Sequence, residues 1–223
     1  MKVLIIIPAY NEEENILKVV EGLKKTVPQC DYIVINDCSK DRTKKILEEN
    51  GIPHINLIVN LGLTGAVQTG YKYAWYHGYD AALQFDGDGQ HLPEHIPDLI
   101  REIENGYDIV IGSRFVREKK PMSLRMLGSR VITWMIRLTT GKRVTDPTSG
   151  MRMINRELIR DYAFEINRKP EPDTLAYQMK RGYRVKEIQV TMQERTAGTS
   201  IYSGIGNSIK YMVKVIVTLL FFN

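Results

Sequence analysis

The residues of this chain best suited to chemistry lie in Leu83-Gln84-Phe85-Asp86-Gly87-Asp88-Gly89-Gln90-His91, where two carboxylates stand one residue apart just beyond an apolar run. Two such acids repel each other, and a divalent cation is the usual way to stabilise the pair. Carboxylate oxygens are hard ligands, so Mg²⁺ or Mn²⁺ is the expected ion, held by Asp86 and Asp88 and bridging onward to a diphosphate. Gly87 and Gly89 let backbone approach a ligand closely. An EF-hand loop also opens Asp-x-Asp, but it needs Gly at its sixth place and Glu at its twelfth, where this chain has His91 and Pro97. That reading fails. A phosphatase with an Asp-x-Asp nucleophile and acid is a rival from another class, although its acids are expected after the first strand and here they follow the fourth. A nucleotide-binding module without turnover is a further alternative.

The common nucleotide fingerprints are missing: there is no GxxxxGK[ST] phosphate loop and no GxGxxG opening a helix. Their place is taken by polar residues at successive strand ends, namely Pro8-Ala9-Tyr10-Asn11-Glu12, Asp37 with Ser39 and Asp41, and Asn60-Leu61-Gly62. Each could be turn or cap chemistry alone. Together they line one edge of a sheet.

The elements that must position these groups are short β-rich runs alternating with helical periodicity. Val3 to Ile7, Tyr32 to Asn36, Ile55 to Val59, Ala81 to Phe85 and Ile109 to Ile111 read as strands of stacked βα units in a mainly parallel sheet. In such sheets ligands bind beyond the carboxyl ends of the strands, which is where Asp86 and Asp88 fall. Asn11 followed by Glu14 reads as a capping-box-like start to a first helix whose apolar face is Ile16, Val19, Val20 and Leu23. A second helix is expected from about Asp41 to Asn50, and another from Pro93 to Asn105. Beyond Ser149, helices are expected around Asn155 to Phe164 and Asp173 to Arg181, with a strand-like Arg184 to Met192. At 223 residues, one α/β domain over residues 1–202 with a tail over 203–223 is the expected organisation.

Charge is unevenly spread. Net charge is +5, yet residues 114–143 hold nine Lys or Arg against Glu118 alone, a local +8 that leaves the rest at −3. A basic patch so confined points to phosphate-bearing substrates or anionic lipid rather than nucleic acid. Within it Leu124, Leu127, Val131, Trp134 and Leu138 recur at helical spacing, with Arg125, Arg130 and Arg137 around them. Ile205, Ile209, Met212, Val213, Ile216, Leu219 and Leu220 repeat the pattern, with Lys210 and Lys214 able to snorkel. That run is shorter than the ~20 apolar residues that span a bilayer, so an interfacial tail is expected. Cys30 and Cys38 read as free thiols of a reducing compartment. Met1-Lys2 followed by five apolar residues and Pro8 reads as a first strand rather than an export signal.

Six ordered blocks carry a resemblance: IIIPAYNEEENI at 5–16, VINDCSKDRT at 34–43, NLGLTGAVQTGY at 60–71, QFDGDGQHLPE at 84–94, IGSRF at 111–115 and PTSGMRMINRE at 147–157. With them the chain resembles the family 2 glycosyltransferases of GT-A fold, and among these the polyprenyl-phosphate sugar synthases related to dolichyl-phosphate mannose synthase. The resemblance implies that Pro8, Tyr10, Glu12 and Asp37, with Asn60 nearby, hold the nucleoside. Asp86, Asp88 and Gln90 would hold metal and diphosphate. Arg114 would contact phosphate, and Ser149 and Arg152 would lie near the acceptor. A loop like Glu194 to Ser200 would close over the diphosphate with Arg195 and Ser200, although Ile201 stands where the family pattern has Lys.

The implied reaction is inverting transfer from UDP-glucose or UDP-N-acetylglucosamine to undecaprenyl phosphate, a step in decorating a cell-envelope polysaccharide. The implied place is the cytoplasmic face of the membrane, peripherally bound, with a small membrane protein as a further partner. A lipid phosphate needs no general base. A glycan hydroxyl would, and Asp173 stands where hydroxyl-using relatives place theirs.

Overall fold

The computed structural model describes residues 1–122, 124–165 and 171–193, together with 215, 217 and 218. The chain runs β1 (Val3–Ala9), α1 (Ile16–Thr26), β2 (Asp31–Asn36), α2 (Thr43–Glu49), β3 (His54–Asn56), α3 (Gly62–Tyr76), β4 (Ala81–Gln84), α4 (Ile96–Glu104), β5 (Ile109–Ser113), α5 (Leu124–Thr140), β6 (Arg152–Asn155), α6 (Arg156–Arg160), α7 (Pro172–Lys180) and β7 (Val185–Gln189). The strands form one seven-stranded sheet in the order β3-β2-β1-β4-β6-β5-β7. Only β6 runs against the rest, pairing antiparallel with both β4 and β5.

Apolar alternation assigns the two faces. Leu4 and Ile6 of β1 join Ile33, Ile35, Ala82, Ile109 and Ile154 beneath α3, α5, α6 and α7. Ile5 and Ile7 join Val34, Leu83, Val110 and Met153 beneath α1, α2 and α4. Because both faces are covered, β1 carries five consecutive apolar residues, as central parallel strands do. Asp86 and Asp88 follow the end of β4, beside the ends of β1 and β2, so strand order brings distant sequence blocks to one rim.

Four departures from the sequence reading follow from tertiary contacts. The first helix begins at Ile16 with Asn15 at its cap, not at Asn11. Asn11 instead takes a positive φ of 55°, and its Oδ1 accepts the Lys40 backbone N–H at 2.8 Å. The third strand ends at Asn56, with the Leu57 N–H making the last bond to the Asn36 carbonyl, and Ile58 and Val59 are exposed. Strand β6 stands where the sequence reading named no element; at four residues it is too short to show periodicity. The helix around Asn155 to Phe164 divides into α6, capped by Asn155 Oδ1 accepting the Leu158 N–H, and a π-helical turn, Asp161–Glu165.

Helix α5 is apolar on two sides. Ile132, Met135 and Ile136 are buried in the core, whereas Leu127, Trp134 and Leu138 are 54%, 60% and 62% exposed. Among the described residues no helix is long and apolar enough to cross a membrane. Of the expected tail, Val215, Val217 and Thr218 are helical and Val215 is buried against the α3–α5 side of the core. The remaining apolar positions of that tail lie outside the described residues.

Candidate active site

The first wall of the site is made by two loops that hold each other through backbone N–H groups. After β1, the N–H groups of Asn11, Glu12 and Glu13 donate to Ser39 Oγ, Thr43 Oγ1 and Asp41 Oδ2 at 3.0, 2.9 and 3.1 Å. In return the Arg42 N–H donates to Glu13 Oε2 at 3.0 Å. Buried Asp37 accepts the Leu61 N–H at 2.7 Å, and Asn60 Nδ2 donates to the Asp37 carbonyl at 3.1 Å, fixing the turn that opens α3. Loop side chains spent on backbone amides in this way set a rigid rim before any ligand arrives. Pro8, Tyr10, Glu12, Asp37 and Asn60 are thereby brought together, with Tyr10 exposed on the rim and Glu12 Oε2 accepting from Asn15 Nδ2 at 2.9 Å.

The second wall is the Asp86–His91 turn. Gly89 has φ +75°, which turns the chain so that the Gln90 N–H meets Asp88 Oδ1 at 3.1 Å. Asp88 is buried, whereas a third of the Asp86 carboxylate is exposed. Gln84 Nε2 donates to Asp86 Oδ1 at 3.0 Å, and the Asp86 N–H donates to buried His91 Nδ1 at 3.3 Å. The other carboxylate oxygen lies against Gly150, where any Cβ would overlap Asp86 Oδ2. Gly150 is therefore part of the cradle. Among the described residues no group of three His, Cys, Asp or Glu could hold a metal. Two hard carboxylates with the rest of the shell supplied by phosphate and water is the usual arrangement for Mg²⁺ at a nucleotide, and this pair fits it.

The third wall surrounds Arg114. Its Nε and Nη2 form a bidentate pair with Asp146, at 2.7 and 3.0 Å, and leave Nη1 without a partner among the described residues. Asp146 is fully buried and is held by a second carboxylate: Glu187 accepts the backbone N–H groups of Thr145 and Asp146 at 2.6 and 2.7 Å. Gln189 clasps the same loop, accepting the Arg117 N–H at 2.8 Å and donating to the Arg114 carbonyl at 3.0 Å. None of Asp146, Glu187, Gln189, Gly150 or His91 was singled out as a site residue from the sequence. Asp146 lies one position before the PTSGMRMINRE block and Gly150 within it, so proximity to that block was the available signal.

Two sequence-assigned residues are placed differently from expectation. The Ser149 hydroxyl is buried and donates to the Gly112 carbonyl at 2.6 Å. Arg152 is 1% exposed, and its Nη2 donates to the Pro147 carbonyl at 3.1 Å. Both brace the strand end from within. Arg152 stands opposite Gln84 in the β4–β6 register, and Gln84 in turn donates to Asp86. Arg152 Nε, Gln84 Oε1 and the Tyr71 hydroxyl have no hydrogen-bond partner among the described residues. Burial raises the Tyr71 and Tyr162 phenols above their ordinary range against the pull of Arg152, so both stay neutral. Asp173 lies in the first turn of α7, partly buried. Arg195 and Ser200 lie outside the described residues. The described chain reaches Gln193, whose N–H donates to the Gln90 carbonyl at 3.0 Å beside the acidic turn.

Known proteins resemble this chain in sequence and fold. The chain is 30% identical over 223 residues to an undecaprenyl-phosphate mannosyltransferase of Micrococcus luteus, covering 92% of this chain and 88% of that one. It is 34% identical over 188 residues to a UDP-N-acetylglucosamine-dolichyl-phosphate N-acetylglucosaminyltransferase of Methanococcus voltae, covering 75% and 74%. The fold matches that of glucosyl-3-phosphoglycerate synthase from Mycobacterium tuberculosis, solved with Mn²⁺, UDP-glucose and phosphoglyceric acid, with a TM-score of 0.70, 18% identity and coverage of 98% and 78%. Residues 4–163 match the family model for glycosyl transferase family 2. With its acidic turn at the end of the fourth strand, braced by the strand that runs against the sheet, this chain belongs to glycosyl transferase family 2 and is a glycosyltransferase.

Proposed function

We propose that this enzyme transfers a sugar from a UDP-sugar to polyprenyl phosphate, with inversion, at the cytoplasmic face of the membrane. The observation that carries the acceptor is α5, which turns Leu127, Trp134 and Leu138 outward beside Arg130 and Arg137. An exposed apolar stripe edged with cations suits a bilayer interface and has no use in a transferase acting on a soluble glycan. Relatives that use undecaprenyl or dolichyl phosphate support the reading. Undecaprenyl phosphate is the proposed carrier and glucose or N-acetylglucosamine the proposed sugar, the latter being the one that the M. voltae relative's name carries.

In this reading Pro8, Tyr10, Glu12, Asp37 and Asn60 receive the nucleoside on the preformed rim. Asp86 and Asp88, with Gln90, hold Mg²⁺ or Mn²⁺ at the diphosphate. A divalent ion bound there screens the diphosphate charge and stabilises it as a leaving group. Arg114, oriented by Asp146, offers its remaining guanidinium nitrogen to a phosphate oxygen. Arg195, assigned to the diphosphate by the resemblance, is proposed to add a second cation there. Ser200 belongs to that same segment. The acceptor oxygen is already anionic, so no base is required, and in-line attack on the anomeric carbon inverts it. With a hydroxyl acceptor Asp173 would serve as the base. The tail beyond residue 203 is proposed to lie in the interface or against a small membrane protein.

The test is a sugar-lipid assay with Mg²⁺ or Mn²⁺, undecaprenyl phosphate and a panel of labelled UDP- and GDP-sugars, run beside Asp88→Asn. Metal-dependent label in the organic phase that disappears in the variant supports the reading and names the donor. Labelled water-soluble glycan that Asp173→Asn abolishes, without sugar lipid, would replace it with the hydroxyl-acceptor reading.

A further inference from the structure

Between the loop over residues 115–120 and helix α5 lies a cleft of about 670 Å³ that includes neither Asp86, Asp88 nor Arg114 in its lining. Its walls bring together Arg117, Lys119, Lys120, Arg130, Arg137 and Arg143 against one acid, Glu118. Six cations around one cleft repel one another, and an anion is needed to offset that repulsion. The cleft is also built. Lys120 Nζ donates to Ser129 Oγ at 2.7 Å and Thr133 Oγ1 at 3.1 Å, and Arg130 Nη2 donates to the Lys120 carbonyl at 2.8 Å, which ties the loop to the helix. Burial pushes the Lys120 ammonium below its ordinary range, against the pull of Asp146 and Glu187 and with Arg114 and Arg130 adding to the fall. A phosphate in the cleft would reverse that tendency.

The same walls are apolar in part. Phe115, Val116 and Trp134 line the cleft, and Trp134 continues onto the exposed stripe with Leu127 and Leu138. A free phosphate or a nucleotide makes no use of that continuation. A glycerophospholipid does: its phosphodiester matches the cations and its acyl chains the stripe, with Trp134 at headgroup level. The acceptor's own phosphate must come within bonding reach of the anomeric carbon, which is tethered to the diphosphate at Asp86 and Asp88, and neither residue lines this cleft.

We propose that the cleft is a docking site for the phosphodiester headgroup of an anionic phospholipid in the bilayer, separate from the reaction centre. This rests on the membrane-surface reading above and adds the lipid class that holds the enzyme there.

The experiment uses the full chain with vesicles of phosphatidylcholine alone or phosphatidylcholine mixed with phosphatidylglycerol, without polyprenyl phosphate or nucleotide sugar. Co-sedimentation is expected only with the mixed vesicles. Arg137→Gln with Arg143→Gln should lower the partition coefficient roughly 30-fold, while Lys18→Gln with Lys25→Gln, exposed cations of α1 on the other face of the sheet, should change it less than about threefold. In a Trp75→Phe background Trp134 is the remaining tryptophan, and its emission should shift to the blue and be quenched by brominated phosphatidylglycerol. Equal loss in the two double variants, or an unmoved Trp134 emission, overturns the proposal. So does binding that appears only once polyprenyl phosphate is added, which would give the cleft to the acceptor. Circular dichroism checks that the variants fold. Failure of the wild type to make sugar lipid from detergent-dispersed acceptor would count against the proposed reaction and leave the vesicle result standing.

Discussion

The rim formed by the loops after β1 and β2 and the wall around Arg114 solve different problems. On the rim, side chains such as Asn11, Asp41 and Asp37 are spent on backbone amides, so shape is set by neutral or singly charged hydrogen bonds across a short distance. Around Arg114, a buried carboxylate holds a guanidinium, a second carboxylate holds the first one's loop, and a cationic, partly apolar helix lies alongside. The first arrangement suits a small rigid ligand with fixed hydrogen-bonding edges. The second suits charge that arrives at a boundary between water and lipid. The comparison teaches that one side offers a preorganised shape and the other a charge held by buried carboxylates.

The largest effect should come from the acidic turn that serves both walls. Asp88→Asn is expected to reduce kcat/KM by on the order of 10³-fold, read in the sugar-lipid assay, since one electrostatic contact to a leaving group commonly supplies that much. Next, Gly150→Ala should displace the Asp86 carboxylate. Turnover is expected to fall about 100-fold and Mn²⁺ affinity, followed by electron paramagnetic resonance, about tenfold, with circular dichroism unchanged.

Arg114 separates stability from chemistry. Arg114→Ala leaves Asp146 buried without its cation and should cost about 3 kcal/mol in urea unfolding. Pairing Arg114→Met with Asp146→Leu should recover most of that stability while turnover stays lost, because the pair's structural part is replaceable by packing and its phosphate contact is not. Full activity in the double variant would remove Arg114 from the site. The smallest effect should be that of Trp134→Ala, whose side chain is mostly exposed. Stability should move by less than about 0.5 kcal/mol, while KM for acceptor in vesicles rises several-fold and KM for the nucleotide sugar does not.

Much of the fold is legible in residue order because each βα unit carries its own periodicity, and the acids after the fourth strand are legible because ligands gather at strand ends. Strand β6 is not. Arg152 to Asn155 is half polar, and its place between β4 and β5 comes from pairing with residues about 40 to 70 positions away in sequence. Asn11 misleads for a similar reason: its local pattern is that of a helix cap, but Lys40, from the next loop, offers a backbone donor that the local sequence cannot show. Arg152, which the resemblance assigns near an acceptor, is the largest of the fully buried side chains, a burial that no local pattern announces.

What the sequence determined by itself is the inventory and its order: paired carboxylates after an apolar strand, polar loops after the strands before it, and a cationic stretch with a helical apolar repeat. These are local properties, fixed by residue type and period. Only the tertiary structure decided which of those groups meet. Gly150 lies under Asp86 and Asp146 holds Arg114 because the sheet inserts an antiparallel strand between β4 and β5. Which apolar side of α5 is buried was decided the same way, since the helix carries two and the core takes Ile132, Met135 and Ile136. A contact between groups far apart in sequence depends on where the sheet places their backbones, and that placement is set by the packing of the whole core.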